Sequence, residues 1–208
     1  TGRSGAGDGN RTHVTVASQA TNVGSIPIAR STSSGRPDTV VSRFKIRLFN
    51  RTDADAVSAL VLGIQNDEFD LGLSICDQKD LADIDGYYLR GHGTFLVAEN
   101  ESSEIIGTIG LLRLRPDLGV MKKFFVAAAS RGKAHGVAGA LYDAFLDFAR
   151  SAGIRQVVLD TPSAATRSHG FYRSVGFVQI ERAELPVMYD FPERDTLFFR
   201  LEIRACVR

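Results

Sequence analysis

The stretch from residue 120 to residue 153 decides the fold of this chain. It opens with an apolar run typical of a buried strand, VMKKFFV at 120–126, and continues through a basic turn, SRGKAHGVA at 130–138. An amphipathic run follows at 139–152 and stops at Gly153, a residue typical of a left-handed helix cap. The order of strand, glycine-bearing turn and helix predicts a βα unit whose turn leads directly into the start of the helix.

The turn at 130–138 predicts a binding site for phosphate groups. The first backbone N–H groups of a helix have no partner within the helix, and the helix dipole adds positive potential at the same place. Arg131, Lys133 and His135 reinforce that sign of charge. We therefore expect a phosphorylated cofactor at the turn, and the plainer alternative is a βα turn that holds no ligand.

Composition excludes several classes of protein. The 208 residues carry a net charge of +1, whereas a dedicated nucleic-acid binder usually has a strong basic excess. No apolar run approaches the ~20 residues that cross a bilayer. Cys76 and Cys206 match no metal-binding or redox spacing, although a disulfide between them stays open. We expect one cytoplasmic domain that binds no metal, nucleic acid or membrane.

The first part of the chain does not read as part of a folded domain. Residues 1–43 are rich in Ser, Thr, Gly and Arg and contain no aromatic side chain, so they have little to bury against the entropy of ordering. Their acid-poor composition weakly resembles an organelle transit peptide. The segment at 5–13 (GAGDGNRTH) instead resembles a translated transfer-RNA gene. We expect 1–43 to be a disordered or spurious extension and 44–204 to be the domain.

From residue 44 onward the pattern becomes regular and predicts a mixed sheet with helices on both faces. Strands are predicted at 44–49, 95–99, 105–114, 120–127, 157–159, 177–185 and 196–203. Helices are predicted from Thr52, from Asp77, at 137–152 and at 164–174. Short connections favour antiparallel pairing of the second to fourth strands, and the helical crossover favours a parallel fifth strand. The fold class is therefore mixed α/β or α+β, with six to seven strands.

Two motifs resemble those of the GNAT superfamily of acyl-coenzyme A dependent N-acyltransferases. The family's phosphate loop reads Arg or Gln, two residues, Gly, one residue, then Gly or Ala. Residues 133–138 (KAHGVA) fit it with Lys133 in the first position, and 131–133 (RGK) is similar to the family's lead-in with two additional residues before Gly136. Residues 171–177 (FYRSVGF) are similar to its Phe-Tyr-x-x-x-Gly-Phe element. The resemblance spans 44–204 and implies the GNAT fold.

The resemblance also implies where acetyl-coenzyme A binds. In this family the strand before the phosphate loop splays away from its parallel neighbour, and its free backbone groups pair with the pantetheine arm as a strand would. That role falls to Phe125 and Val126. The pyrophosphate is then expected at the loop and the helix start, on Arg131, Lys133, His135, Gly136, Val137, Ala138 and Gly139.

The resemblance makes Tyr172 the candidate catalytic acid. A departing thiolate benefits from a nearby proton donor, and a tyrosine with an ordinary pKa near ~10 supplies one while it stays neutral. The alternative interpretation of Tyr172 is a core aromatic residue. A general base is harder to identify, because Lys122 and Lys123 stand where the family often has a carboxylate. Asp160, at the end of its strand, is the candidate, and Glu99 and Glu104 are weaker ones.

The sequence thus favours transfer of an acetyl group to a primary amine, directly and in a ternary complex, because no residue is arranged as an activated nucleophile. The expected partner is a small-molecule or peptide amine, with a homodimer left open. An acyl-coenzyme A binding module without activity is the alternative. Acidic residues cluster around the first two predicted helices, where they attract a cationic amine or form a solvated face. They are Asp67, Glu68, Asp70, Asp77, Asp80, Asp83 and Asp85.

Overall fold

Seven strands and four α-helices are formed by the residues that the structure describes. The computed structural model describes residues 43–163, 165–191 and 195–204, so the prediction for 1–42 lies outside the described residues. The strands are β1 Phe44–Leu48, β2 Thr94–Asn100, β3 Ile105–Arg115, β4 Leu118–Val126, β5 Gln156–Pro162, β6 Val178–Ile180 and β7 Thr196–Glu202. The helices are α1 Ala54–Gly63, α2 Lys79–Ala82, α3 Val137–Ser151 and α4 Thr166–Ser174.

The strands form one mixed sheet in the order β1-β2-β3-β4-β5-β7-β6. Only β4 and β5 pair in parallel, through the crossover that contains α3, and the other neighbours are antiparallel. The predicted element order, the antiparallel pairing of β2 to β4 and the parallel crossover are therefore confirmed. Gly153 lies just after α3 with φ +76°, as the predicted left-handed cap requires.

Helices cover both faces of the sheet, and each face has its own apolar core. The α3 and α4 face contains side chains such as Leu141, Phe145 and Phe171. The α1 and α2 face contains others, which include Val57 and Val61 of α1. A sheet that is apolar on both faces needs such a two-sided core, because each face must be covered by other elements.

Two predicted elements are shorter than expected. The helix predicted from Asp77 is broken into the 3₁₀ turn Ile75–Asp77, α2 and the π-helical turn Asp85–Leu89, because the Asp83 carboxylate accepts from the Gly86 N–H and ends the first part. The strand predicted at 177–185 stops at Ile180. There the Glu184 carboxylate accepts from the Glu181 N–H and closes a turn. Leu81, Ile84 and Tyr88 are nevertheless buried as predicted.

The predicted N-cap of the first helix lies two residues too late. The capping box is formed by Asn50 and Asp53, not by Thr52 and Asp55, and it starts a 3₁₀ turn, Arg51–Asp53, that leads into α1. The Asp53 carboxylate also pairs with Arg47 of β1, six positions earlier. This ion pair to the preceding strand adds to the capping box of Asn50 and Asp53, and among the described residues no ion pair supports Thr52 and Asp55 in this way.

A β-bulge interrupts the pairing of β3 and β4. Gly110 lies opposite Lys122 and Thr108 lies opposite Phe125, so β4 has one more residue than β3 across the interval. Lys123 takes up the extra residue with φ +52°, a left-handed conformation that is uncommon outside glycine. The Thr108 hydroxyl donates to the Lys123 carbonyl at 2.7 Å and satisfies the carbonyl that the bulge removes from the ladder.

Replacement of Thr108 by valine is expected to lower the free energy of unfolding by about 1–2 kcal/mol, because it leaves the buried Lys123 carbonyl without this donor. Thr94→Val is the matched control. Both threonines are fully buried, but within the described residues the Thr94 hydroxyl has no hydrogen-bond partner. Urea denaturation should show no loss for Thr94→Val, and equal losses for the two variants would contradict this role of Thr108.

Candidate active site

The parallel strands β4 and β5 separate soon after they meet. They pair only at Leu118–Val120 and at 156–158, whereas β4 continues to Val126 and β5 to Pro162. The gap that opens between the two strands is called the slot below. An unpaired strand edge of this kind can hydrogen-bond an extended ligand.

The end of β4 turns its peptide groups toward the slot. The Ala127 N–H donates to the Ile106 carbonyl at 2.8 Å, so this pair is hydrogen-bonded to β3. Since such pairs alternate along an antiparallel ladder, Val126 opposite Gly107 directs its N–H and C=O away from β3. The separation of β4 from β5 is the one predicted. The role of the Val126 backbone in binding the pantetheine arm stays a prediction. The Phe125 side chain, in contrast, is packed in the core beneath α1.

Arg131 does not stand free at the phosphate loop. Its guanidinium makes two hydrogen bonds to the Glu68 carboxylate, at 2.8 and 2.5 Å, and its Nε donates to the Val126 carbonyl at 2.7 Å. Glu68 belongs to the π-helical turn Ile64–Glu68 that follows α1. The charge of Arg131 is thus offset by Glu68, and the side chain links the acidic segment after α1 to the edge of the slot.

The start of α3 presents free N–H groups. Gly136 precedes the helix with φ +68° and makes no side-chain cap. The Ala140 N–H is bonded to the Gly136 carbonyl, whereas the Gly136 N–H already donates to Gly132. The N–H groups of Val137, Ala138 and Gly139 therefore have no acceptor within the helix.

The loop before α3 carries the remaining cations at the surface. Lys133 and His135 are both exposed. A cleft of about 680 Å³ lies beside the loop, between residues 134–137 and the turn that joins β2 to β3. Arg131 is held by Glu68, whereas His135 lines the cleft. Which cation of the loop meets a phosphate group stays a prediction.

Tyr172 is a buried residue of α4, with 2 % of its surface exposed. Its ring lies against those of Phe177 and Phe199, at centroid distances of 5.7 and 5.6 Å. The preceding residue, Phe171, contacts Phe124 of the separated part of β4 at 5.6 Å. The helix that carries Tyr172 therefore packs against one wall of the slot.

His169 contacts the strand on the other side of the slot, β5. Its Nε2 lies 2.9 Å from the carbonyl of Pro162, the last residue of β5, and must donate because a carbonyl only accepts. Burial lowers the pKa of His169, whereas the hydrogen bond to the Pro162 carbonyl acts in the opposite direction. The histidine thus anchors α4 to the end of β5.

Asp160 lies on the opposite face of the sheet from α4. It is 1 % exposed, and its neighbours Val157 and Leu159 in β5 point to the α3 side. Burial, together with the Asp160 carboxylate, raises the pKa of Tyr189 far above its usual range. The Asp160 carboxylate also acts to raise the pKa of Tyr88 and of Lys123. Tyr172 and Asp160, the two predicted catalytic residues, therefore lie on opposite faces of the sheet.

A buried polar cluster next to the slot was not predicted from the sequence. Lys123 lies within hydrogen-bond distance of Gln78 and Asp80, and the Tyr88 hydroxyl donates to Asp80 at 2.7 Å. The acidic run that contains Asp80 was interpreted as a solvated face or an attractive surface, and Asp80 is neither, because Lys123 pairs with it. The sequence feature that could have indicated this cluster is the pair Lys122 and Lys123 inside an otherwise apolar strand.

Comparisons with known proteins agree with this geometry. The sequence pattern of the acetyltransferase (GNAT) family matches residues 61–177, more than half of the chain, and the chain belongs to this family. A probable N-acetyltransferase family 8 member 5 of Mus musculus is 37% identical over 105 residues, 49% of this chain and 46% of that protein. The chain thus spans about half the length of the curated relatives it matches.

Solved structures extend the likeness to the whole domain. An acetyltransferase from Streptococcus agalactiae has a TM-score of 0.72 and 34% identity, over 77% of this chain and 98% of that one. A GNAT acetyltransferase from Staphylococcus aureus has a TM-score of 0.71 and 30% identity, over 77% and 99%. The predicted family and fold class are confirmed.

In the part of the chain that the structure describes, every helix is too short or too polar to span a bilayer. Within the same ranges, His, Cys, Asp and Glu side chains form no group that could hold a metal ion.

Proposed function

We propose that this chain is an N-acyltransferase that moves an acetyl group from acetyl-coenzyme A to a primary amine. The observation that carries the proposal is the slot between β4 and β5, which opens beside the free N–H groups of α3. The extended pantetheine arm of the co-substrate needs a free strand edge, and its diphosphate needs free N–H groups. The slot and the start of α3 would supply these two features at neighbouring positions. An N-acetylglutamate synthase from Neisseria gonorrhoeae, which shares the fold at a TM-score of 0.58 and 17% identity, is solved with coenzyme A.

The residues fit this co-substrate in three places. The Val126 N–H would pair with the pantetheine arm, since it faces the slot, while the Val126 carbonyl already accepts from Arg131. The N–H groups of Val137, Ala138 and Gly139 would bind the diphosphate, with Gly136 keeping side-chain atoms out of the way. Lys133 would supply the cation, and His135 would add a further donor.

Direct transfer needs one bond to form and one to break. The amine nitrogen attacks the thioester carbonyl, the carbon–nitrogen bond forms, and the carbon–sulfur bond breaks with release of a thiolate. Tyr172 is proposed to donate its hydroxyl proton to that thiolate, from the α4 side of the slot. Asp160, the candidate general base, is proposed to take the proton that the acceptor nitrogen loses, from the other face of the sheet.

A second candidate is a module that binds acyl-coenzyme A without catalysis. The observation that favours it is the burial of Tyr172, whose ring is packed among aromatic neighbours like a core residue. The two candidates differ in one experiment, a measurement of acetyl-coenzyme A consumption across a panel of small amines, amino acids and peptides. Coenzyme A binding without turnover on any acceptor would favour the module, and absence of binding would refute both.

Lys133→Gln is expected to raise the Kd for coenzyme A about fivefold, the equivalent of roughly 1 kcal/mol, because the exposed cation lies beside the free N–H groups. The effect should shrink as salt is added, since exposed charges are screened. Lys79→Gln, an exposed lysine of α2, is the control and should leave Kd unchanged. Isothermal titration calorimetry measures both, and equal affinities would remove Lys133 from the phosphate site.

A further inference from the structure

The Arg131 guanidinium lies between the end of β4 and the start of α3. Its Nε donates to the Val126 carbonyl at 2.7 Å, and 9 % of its side-chain surface is exposed. The carbonyl of the next residue, Gly132, accepts from the His135 and Gly136 N–H groups, so one closed turn separates Arg131 from the helix. Arg131 is therefore anchored next to both parts of the proposed co-substrate site.

Glu68 occupies the side of the guanidinium that a phosphate group would use. The two terminal nitrogens of Arg131 each donate to one oxygen of the Glu68 carboxylate, at 2.8 and 2.5 Å. Arginine binds phosphate groups by the same arrangement, in which two parallel N–H groups donate to two oxygens. One pair of N–H groups cannot make both contacts at once, so the Glu68 carboxylate and a diphosphate would compete for it.

The turn that carries Glu68 is held by contacts that do not involve Arg131. The Asn66 side chain accepts from the Leu73 N–H at 2.8 Å and donates to the Leu73 carbonyl at 2.9 Å. The Asp70 N–H also donates to the Asn66 carbonyl at 3.0 Å. We therefore expect this turn to stay in place when the charge of Glu68 is removed.

We propose that Glu68 competes with the diphosphate of coenzyme A for Arg131 and so speeds the release of the co-substrate. This inference rests on the co-substrate site of the proposed function. When coenzyme A binds, the guanidinium exchanges the carboxylate for phosphate oxygens, and the ion pair with Glu68 forms again as coenzyme A leaves. The negative charge of Glu68 also repels the diphosphate directly. Glu68 thus acts through Arg131, as a residue that sets its position.

Glu68→Gln is expected to lower the Kd for coenzyme A about fivefold, because the amide keeps the shape of the side chain but no longer neutralises Arg131. Isothermal titration calorimetry measures Kd. Stopped-flow measurement of coenzyme A release should show a fall in koff by a similar factor, since affinity changes within one site lie mainly in koff. The gain should shrink as salt is added. If the ion pair only supported the loop, its loss would leave binding equal or weaker.

Two further variants separate the ion pair from the general effect of charge. Asp67→Asn is the matched control, since it removes the same charge from the exposed preceding residue, which lies outside the ion pair. Its Kd for coenzyme A should stay within about twofold of the native value. Arg131→Gln should weaken binding, and Glu68→Gln added to it should bring no gain, because the group for which Glu68 competes is gone.

The outcomes separate this inference from the proposed function. If the native chain binds no coenzyme A, both fail. If it binds coenzyme A but acetylates no amine, the proposed transfer alone fails, and the same titrations still decide the role of Glu68. If Glu68→Gln does not tighten binding, or tightens it as much in the Arg131→Gln chain, Glu68 does not compete for Arg131. Urea denaturation checks that each variant is folded, and the comparison with Asp67→Asn decides if Arg131→Gln does not fold.

Discussion

Tyr172→Phe is expected to lower kcat for acetyl transfer by about 100-fold while the Kd for coenzyme A stays within about twofold. The change removes one oxygen and keeps the ring that packs against Phe177 and Phe199, so the fold should be retained. Without a proton donor the thiolate must leave as an anion, which raises the barrier of that step. Steady-state kinetics and calorimetry on the same preparations give the two quantities.

Tyr142→Phe is the control for this variant. Tyr142 is also a buried tyrosine, it contacts Phe171 as Tyr172 does, and within the described residues its hydroxyl has no hydrogen-bond partner. Its loss should leave kcat unchanged. A full rate in Tyr172→Phe would instead show that Tyr172 is a core residue and that another group, or water, protonates the thiolate.

Gly136→Val is expected to weaken coenzyme A binding about 30-fold. A hydrogen bond to a charged group contributes about 1.5–3 kcal/mol, and a branched side chain before α3 would keep a diphosphate from at least one N–H group. The space next to Gly136 is open, since a β-carbon there would meet no atom within 4 Å. The expected loss is therefore one of ligand access rather than of packing.

Backbone strain has to be separated from this effect, because φ +68° is unfavourable for valine. Gly153→Val provides the comparison. Gly153 has φ +76°, lies at the other end of α3 and also has no atom within 4 Å of an added β-carbon. Both variants should lose similar stability in urea denaturation, and only Gly136→Val should lose affinity. Equal affinities in the two variants would place the diphosphate elsewhere.

The local pattern of the sequence predicted most of the fold. Strands β1 to β5, the crossover helix α3 and the cap at Gly153 follow from periodicity and turn residues, which act over a few positions. The same kind of signal located the turn before α3 and the helix α4. It failed where local signals competed, as in the broken helix after Asp77 and the choice between two capping boxes before α1.

The sequence by itself therefore determined the order of the elements, the family and the place of the loop, because each depends on neighbours along the chain. Only the tertiary structure decided the charges of the site. Arg131 is neutralised by a residue 63 positions away, and Lys123 is held by Gln78 at a separation of 45. Such pairs form because buried charges must find a partner wherever folding places one, and no local pattern records which partner that is.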